Sequence, residues 1–356
     1  MSYVDDLQQV VASIQEPDED AMAAAKQRQD VLTKPQGSLG RLEELSIRVA
    51  GMTGILTPPL ARKAVIVMAG DHGVAAEGVS AFPQAVTVQM VANFLAGGAG
   101  INVLARHVGA RVVVVDIGIN GDVPPGEGLL SRKIARGTGN IARGPAMTRE
   151  QAAQAILTGV EIVREEAARG LDMVATGDMG IANTTPSSAV VAAITARPPA
   201  DVTGRGTGID DIAWAHKVQV IERSLAVNRP QGADGLDVLA KVGGFEIGGL
   251  AGVVLGAAAS RIPVVVDGFI STAGALIATE ICPTARHYII AAHRSVEVGH
   301  QVALDRIGVR PLLDLGMRLG EGTGAALAMD IVEAAGKVLA EMATFTNAGV
   351  SNRDEG

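Results

Sequence analysis

The chain has 356 residues, of which 48% are hydrophobic and 19% charged, and a formal net charge of −8. That balance is too apolar for a disordered segment and too acidic for a protein that relies on phosphate contacts, so nucleic acid is excluded as the expected partner. One cysteine, Cys282, rules out a disulfide framework and a thiolate metal cluster. The mean hydropathy of +0.29 raises a membrane reading, but the longest apolar runs fall far short of the ~20 residues that a spanning helix needs.

Residues 4–33 read as two helices joined at Pro17, with Asp18, Glu19 and Asp20 in the first turn of the second. The first few residues carry Asp5 and Asp6 and no apolar stretch of the kind a signal peptide has, so a protein of the cytoplasm is expected. Five short β-branched runs follow in order: Ala64–Met68, Val112–Val115, Met173–Ala175, Ile262–Val266 and Tyr288–Ile290. Each is continuous rather than alternating, as strands covered on both faces are. Helical segments separate them. Thr148-Arg-Glu-Gln151 is a capping box opening one, and residues 210–227, 246–261 and 271–281 read similarly. A long Ala-rich helix fills 325–344, and a frayed tail is expected from Thr346. The 44 glycines and sparse aromatics (five Phe, two Tyr, one Trp) suit tight packing of helices on a sheet. The class is therefore α/β: a Rossmann-like, doubly wound parallel sheet, with a small helical domain built from both termini. Residues 1–60 with 325–356 form the small domain, and 61–324 the large one with the active site.

In an open parallel sheet, ligands bind beyond the carboxyl ends of the strands, where this chain carries Asp71, His72, Asp116, Asp178, Asp267 and His293. Any one of these acids could simply cap a helix; several at one edge point to a site. Gly320-Glu321-Gly322-Thr323-Gly324-Ala325 matches a dinucleotide fingerprint but lacks a preceding strand, since Pro311–Leu319 reads as helix or turn. What remains is a turn whose outward amides, around Gly320 and Gly322, suit a phosphate or ribose, with Glu321 beside it. Gly177–Pro186 is a second candidate cradle, where Gly180, Asn183 and Thr184 follow a strand end at Asp178. Gly204–Gly208 is a weaker third. The six histidines show no metal-binding spacing and there is no nucleophile elbow, so neither a metal nor a cofactor is expected. Group transfer between two bound substrates, with a carboxylate as base, fits these features. A nicotinamide-dependent dehydrogenase would need a complete fingerprint unit, and a non-catalytic nucleotide-binding regulator would bind without turnover.

Lys34-Pro-Gln-Gly37-Ser-Leu-Gly40-Arg41-Leu-Glu43, Gly70-Asp-His-Gly73, Gly180-Ile-Ala-Asn183-Thr-Thr185-Pro186, Lys241-Val-Gly-Gly244-Phe245, Val266-Asp-Gly268-Phe269 and Met317-Arg-Leu-Gly-Glu321-Gly-Thr-Gly324-Ala325 occur in that order. With them the chain resembles the nicotinate-nucleotide–dimethylbenzimidazole phosphoribosyltransferases of cobalamin lower-ligand assembly, over nearly its whole length. The resemblance implies transfer of phosphoribose from nicotinate mononucleotide to 5,6-dimethylbenzimidazole. The products would be α-ribazole 5′-phosphate and nicotinate, with inversion at the anomeric carbon, made by a homodimer. It also implies that Glu321 is catalytic and that Lys217, Asp267, Ser295, Arg318 and Gly320 contact the nucleotide. Leu319 would lie near the base, and Phe82 and Gln89 in the benzimidazole pocket. Asp178 stands where relatives carry Glu, one methylene longer, and is a possible auxiliary group.

Overall fold

The computed structural model describes residues 2–123 and 126–352. Its centre is a sheet of six strands, β1 (Lys63–Gly70), β2 (Ala110–Gly118), β3 (Leu129–Ser131), β4 (Met173–Met179), β5 (Val264–Val266) and β6 (Ile289–Ala291). Every pairing is parallel and the order is β3-β2-β1-β4-β5-β6, so the chain reverses its direction of winding between β1 and β4. A crevice for ligand opens at that reversal. The five apolar runs are all strands because both faces are covered: every residue of β1 is buried. Val65 approaches Gly322 and Met68 approaches Gly249, and the odd spacing between them sets the helices Thr323–Glu341 and Phe245–Ala259 on opposite faces.

The sixth strand, β3, is three residues at the sheet edge, too short to show any period in the sequence. The segment Pro311–Leu319 also departs from expectation. It is neither helix nor turn but an irregular strap along β6, joined by a bridge between His293 and Leu313 and by the Leu312 N–H on the Ala291 carbonyl. The helix ends follow local chemistry. Asp18 accepts from Ala21 N–H, and Thr148 and Gln151 cap each other's backbone as the sequence pattern predicts.

The helix Arg41–Thr53 packs on Glu19–Val31 and on Thr323–Glu341, with Ala25, Ala50 and Leu339 meeting at the centre. The chain after Thr323–Glu341 forms one more short helix, Phe345–Ala348, where a frayed tail was expected; residues 353–356 of that tail lie outside the described residues. Among the described residues one stretch, Ala85–Val108, is apolar and long enough in total to cross a membrane. It is two helices, Ala85–Leu95 and Gly100–Val108, bent apart at 96–99, and neither approaches ~20 residues.

Candidate active site

At the β1/β4 reversal lies a cavity of about 420 Å³, of the size small-molecule sites commonly have. Asp178 and Gly180, at and just after the end of β4, sit on its floor, together with Asn183 and Thr184. Ser295, Arg318, Leu319, Gly320, Glu321 and Phe82 complete the set of expected residues that line it. Lys217, Asp267, Gly322 and Gln89 do not. Lys217 and Asp267 are buried immediately behind the wall, and Gln89 is exposed one residue before the lining Met90.

The turn carrying Glu321 is strained. Gly320, Glu321 and Gly322 all have positive φ, +81°, +63° and +91°, and for a side chain other than glycine that region is costly. The backbone passes so close over β4 that a Cβ on Gly177 would overlap the Glu321 carbonyl. The turn thus holds the Glu321 carboxylate, only 5% exposed, against the cavity, where Oε2 accepts from the Ile101 N–H at 3.1 Å. Burial lifts its pKa above the ordinary value, the Ile101 hydrogen bond opposes this, and the Asp267 charge adds to the rise.

Of the amides at this helix start, those of Gly322 and Ala325 are taken. Asp267 accepts from Gly322 N–H at 3.2 Å and from Ala325 N–H at 2.9 Å, so its two oxygens cap the helix and stabilise its positive end. Those two amides are therefore not available to a ligand phosphate. His293 lies 3.6 Å from the same carboxylate; burial pulls its pKa down, but the Asp267 contact outweighs this and leaves it raised.

Asp178 accepts from the Asn183 side-chain amide at 3.0 Å, and its other oxygen has no partner. Burial, then the charges of Asp267 and Glu246, push its pKa well up, against the Asn183 hydrogen bond. Glu321 is raised by burial too, but its Ile101 hydrogen bond stands second among the causes, whereas at Asp178 two negative charges stand ahead of the Asn183 hydrogen bond.

The other end of the cavity carries Arg318 and Glu297 in its lining, with the Lys217 ammonium just behind it. Lys217 donates to Thr184 Oγ1 at 2.6 Å, and burial lowers its pKa to about 8 against the pull of Glu297. Glu297 Oε1 accepts from Gly206 N–H at 3.0 Å, and Arg318 donates to the Gly206 carbonyl at 3.1 Å. The weak third glycine loop is thus the piece clamped at that end. Glu297 was missed because a lone acid before a helix reads as an ordinary helix-start residue. Its neighbour His300, driven to about pKa 3 by burial and by His293, is neutral and accepts from Ser295 N–H, which fixes that residue.

A third wall is apolar: Val79, Phe82, Val86, Met90 and Leu319, with Ile181 opposite. Its helix, Ala85–Leu95, is tied to the loop after β4 through Thr87, whose hydroxyl donates to Asp71 at 2.7 Å and accepts from Ile181 N–H at 3.2 Å. Asp71 also accepts from Asn120 N–H, and it does not reach the cavity. Nor does His72, buried 2.7 Å from Glu246 beneath it. Asp116 pairs with Lys133 at 3.2 Å, away from the cavity. Among the described residues no three His, Cys, Asp or Glu side chains gather as a metal ion would require. The arrangement can hold an anionic group at one end and a flat ring along the apolar wall, with a carboxylate between them.

Residues 14–350 match the family model described as Phosphoribosyltransferase. A protein of Chloroflexus aggregans named nicotinate-nucleotide–dimethylbenzimidazole phosphoribosyltransferase is 63% identical over 98% of this chain and 99% of its own length. One of Geobacter metallireducens with the same name is 60% identical over 98% and 99%. The crystal structure of CobT from Thermus thermophilus superposes with a TM-score of 0.91 at 49% identity, covering 94% of this chain and 100% of that one.

Proposed function

The chain belongs to the nicotinate-nucleotide–dimethylbenzimidazole phosphoribosyltransferase family and is a phosphoribosyltransferase, and from that premise we propose that it moves phosphoribose from nicotinate mononucleotide to 5,6-dimethylbenzimidazole in cobalamin biosynthesis. In this reading the 5′-phosphate sits at the end near Lys217, Thr184, Ser295 and Arg318, with Gly180, Asn183 and Gly320 along the ribose. Gly322 and Asp267 hold the Glu321 turn from behind. The benzimidazole lies against Phe82 and Leu319, with Gln89 at the rim.

The observation that carries the proposal is the strained, buried Glu321 carboxylate facing a cavity with Arg318 at one end and an apolar wall along one side. The pyridinium of nicotinate mononucleotide leaves as a neutral ring and needs no acid. The benzimidazole nitrogen that attacks becomes positive unless the other ring nitrogen gives up its proton. Glu321 accepts that proton, a contribution of typically about 10²–10⁴-fold. Its negative charge also stabilises the cationic ribosyl transition state. Two rings held on opposite faces of the ribose require attack from the side opposite the leaving group, hence inversion to the α-configuration.

Asp178, beside Gly320 and with its carboxyl pushed towards the neutral form, would donate to a ribose hydroxyl rather than act as base. The same reading includes a homodimer in the cytoplasm and a small domain formed by residues 1–60 and 325–356. Incubation with both substrates should release nicotinate stoichiometrically with α-ribazole 5′-phosphate; nicotinate mononucleotide left intact would reject the assignment. Sedimentation at working concentration should show two chains, and a monomer would count against the dimer.

A further inference from the structure

A second cavity of about 420 Å³ lies at the amino-terminal end of β6, away from the carboxylates of the first. Four arginines line it, Arg41, Arg48, Arg286 and Arg310, with His287 and a single carboxylate, Glu44, in a chain whose net charge is −8. Two of the arginines hold the fold: Arg41 donates to the carbonyls of Arg310 and Pro311, and Arg48 to that of Ile289 at 2.8 Å. Arg41 Nε is buried with no hydrogen-bond partner.

The other two do not staple any backbone. Among the described residues, Arg310, its side chain 76% exposed, reaches Glu44 only at 3.5 Å, and the Arg286 side chain bonds only the His287 ring, at 3.3 Å. The cations crowd one another. Burial lowers the pKa of Arg48, and Arg41 lowers it further against Glu44; burial with Arg286 and Arg48 holds His287 down against Glu16. Glu44 in the lining and Glu16, 3.5 Å from His287, are too few to neutralise four guanidiniums, and the planar donor forks of Arg286 and Arg310, not spent on backbone, match the oxygens of a tetrahedral anion.

We propose that this cavity binds a phosphate dianion, either free or as the monoester of a small metabolite, anchored by Arg41 and Arg48 and closed over by Arg286 and Arg310. The volume exceeds that of phosphate alone and leaves room for a sugar-sized substituent.

The test counts bound inorganic phosphate by equilibrium dialysis of the full-length protein at neutral pH and low salt. Wild type should bind one phosphate per chain more than Arg286→Ser/Arg310→Ser, while the variant keeps nicotinate release within about twofold of wild type. Because the readout is the difference between the two proteins, it stands whether or not the first cavity also takes phosphate, so failure of the proposed function leaves it intact. If the serine variant melts early, Arg286→Lys/Arg310→Lys keeps the charge and loses the fork, and should bind the extra phosphate about tenfold more weakly. Ribose 5-phosphate displacing the extra phosphate at equal concentration identifies a monoester site; failure to displace it identifies a site for free phosphate. Equal stoichiometry and affinity in wild type and variants, or displacement by chloride at matched ionic strength, overturns the proposal.

Discussion

Glu321→Gln removes the proposed base and little else. Gln retains an oxygen that can accept the Ile101 N–H, has nearly the same volume, and leaves the positive-φ turn between Gly320 and Gly322 unchanged. Turnover should therefore fall about 10²–10⁴-fold, which is roughly 2.7–5.5 kcal/mol of barrier. Nicotinate mononucleotide should bind within a few-fold of wild type, because the proposed pose puts its phosphate at the opposite end, near Arg318 and Lys217. The stability effect has a definite sign. The folded carboxyl has a raised pKa, so the folded state holds more protons than the unfolded one in the window above the ordinary carboxylate value, and wild-type stability falls as pH rises through it. Gln has no such penalty, so the variant's melting temperature should gain on wild type as pH rises from the ordinary Glu value towards neutrality. In the wild type, turnover should show an acid limb placed above the ordinary Glu value and absent in the variant. The assay is nicotinate release at saturating substrates, paired with melting curves at several pH values. Near-wild-type turnover would refute the assignment of the base. A large loss of stability with a modest kinetic change would show Glu321 to be structural.

Lys217, with a pKa of about 8, loses its charge as pH rises through that value, so the KM for nicotinate mononucleotide should climb above it with kcat little changed; Lys217→Met should raise KM throughout and flatten the profile. Gly177→Ala places a methyl against the Glu321 carbonyl; it should destabilise the fold by about 1–3 kcal/mol in denaturant titration and lower kcat by displacing the turn. Ala182 has φ +73° on the cavity floor, so Ala182→Val should cost about 1–3 kcal/mol and raise the nucleotide KM, whereas Ala182→Gly should be tolerated; equal effects of the two would refute the strain argument.

Asp178 and Glu321 show how surroundings separate two similar groups. Both are carboxyls at the same cavity, yet Asp178 has an unpartnered oxygen and three neighbouring negative charges, while Glu321 is stabilised by a backbone amide. Spacing along the chain could not rank them, since the charges of Asp267 and Glu246 come from 89 and 68 residues downstream of Asp178.

Local sequence determined what depends on local physics. Continuous apolar runs became the covered strands β1, β2, β4, β5 and β6, because a parallel sheet buries both faces. Asp18 and Thr148 marked helix starts, because a short polar side chain reaches an amide three residues on. Glu321 between two glycines signalled an unusual turn, and the turn is unusual. What crosses the sheet required the tertiary structure. Asp267 is read along the chain as a strand-end acid facing ligand, but the start of the neighbouring Thr323–Glu341 helix arrives from 55 residues away and takes both its oxygens. Glu297, Gly206 and Lys217 carry no shared pattern, and they meet because β4, β5 and β6 align their loops at one edge. The edge strand β3 and the strap 311–319 owe their conformation to pairing with β2 and β6, and those hydrogen bonds leave no period in their own residues.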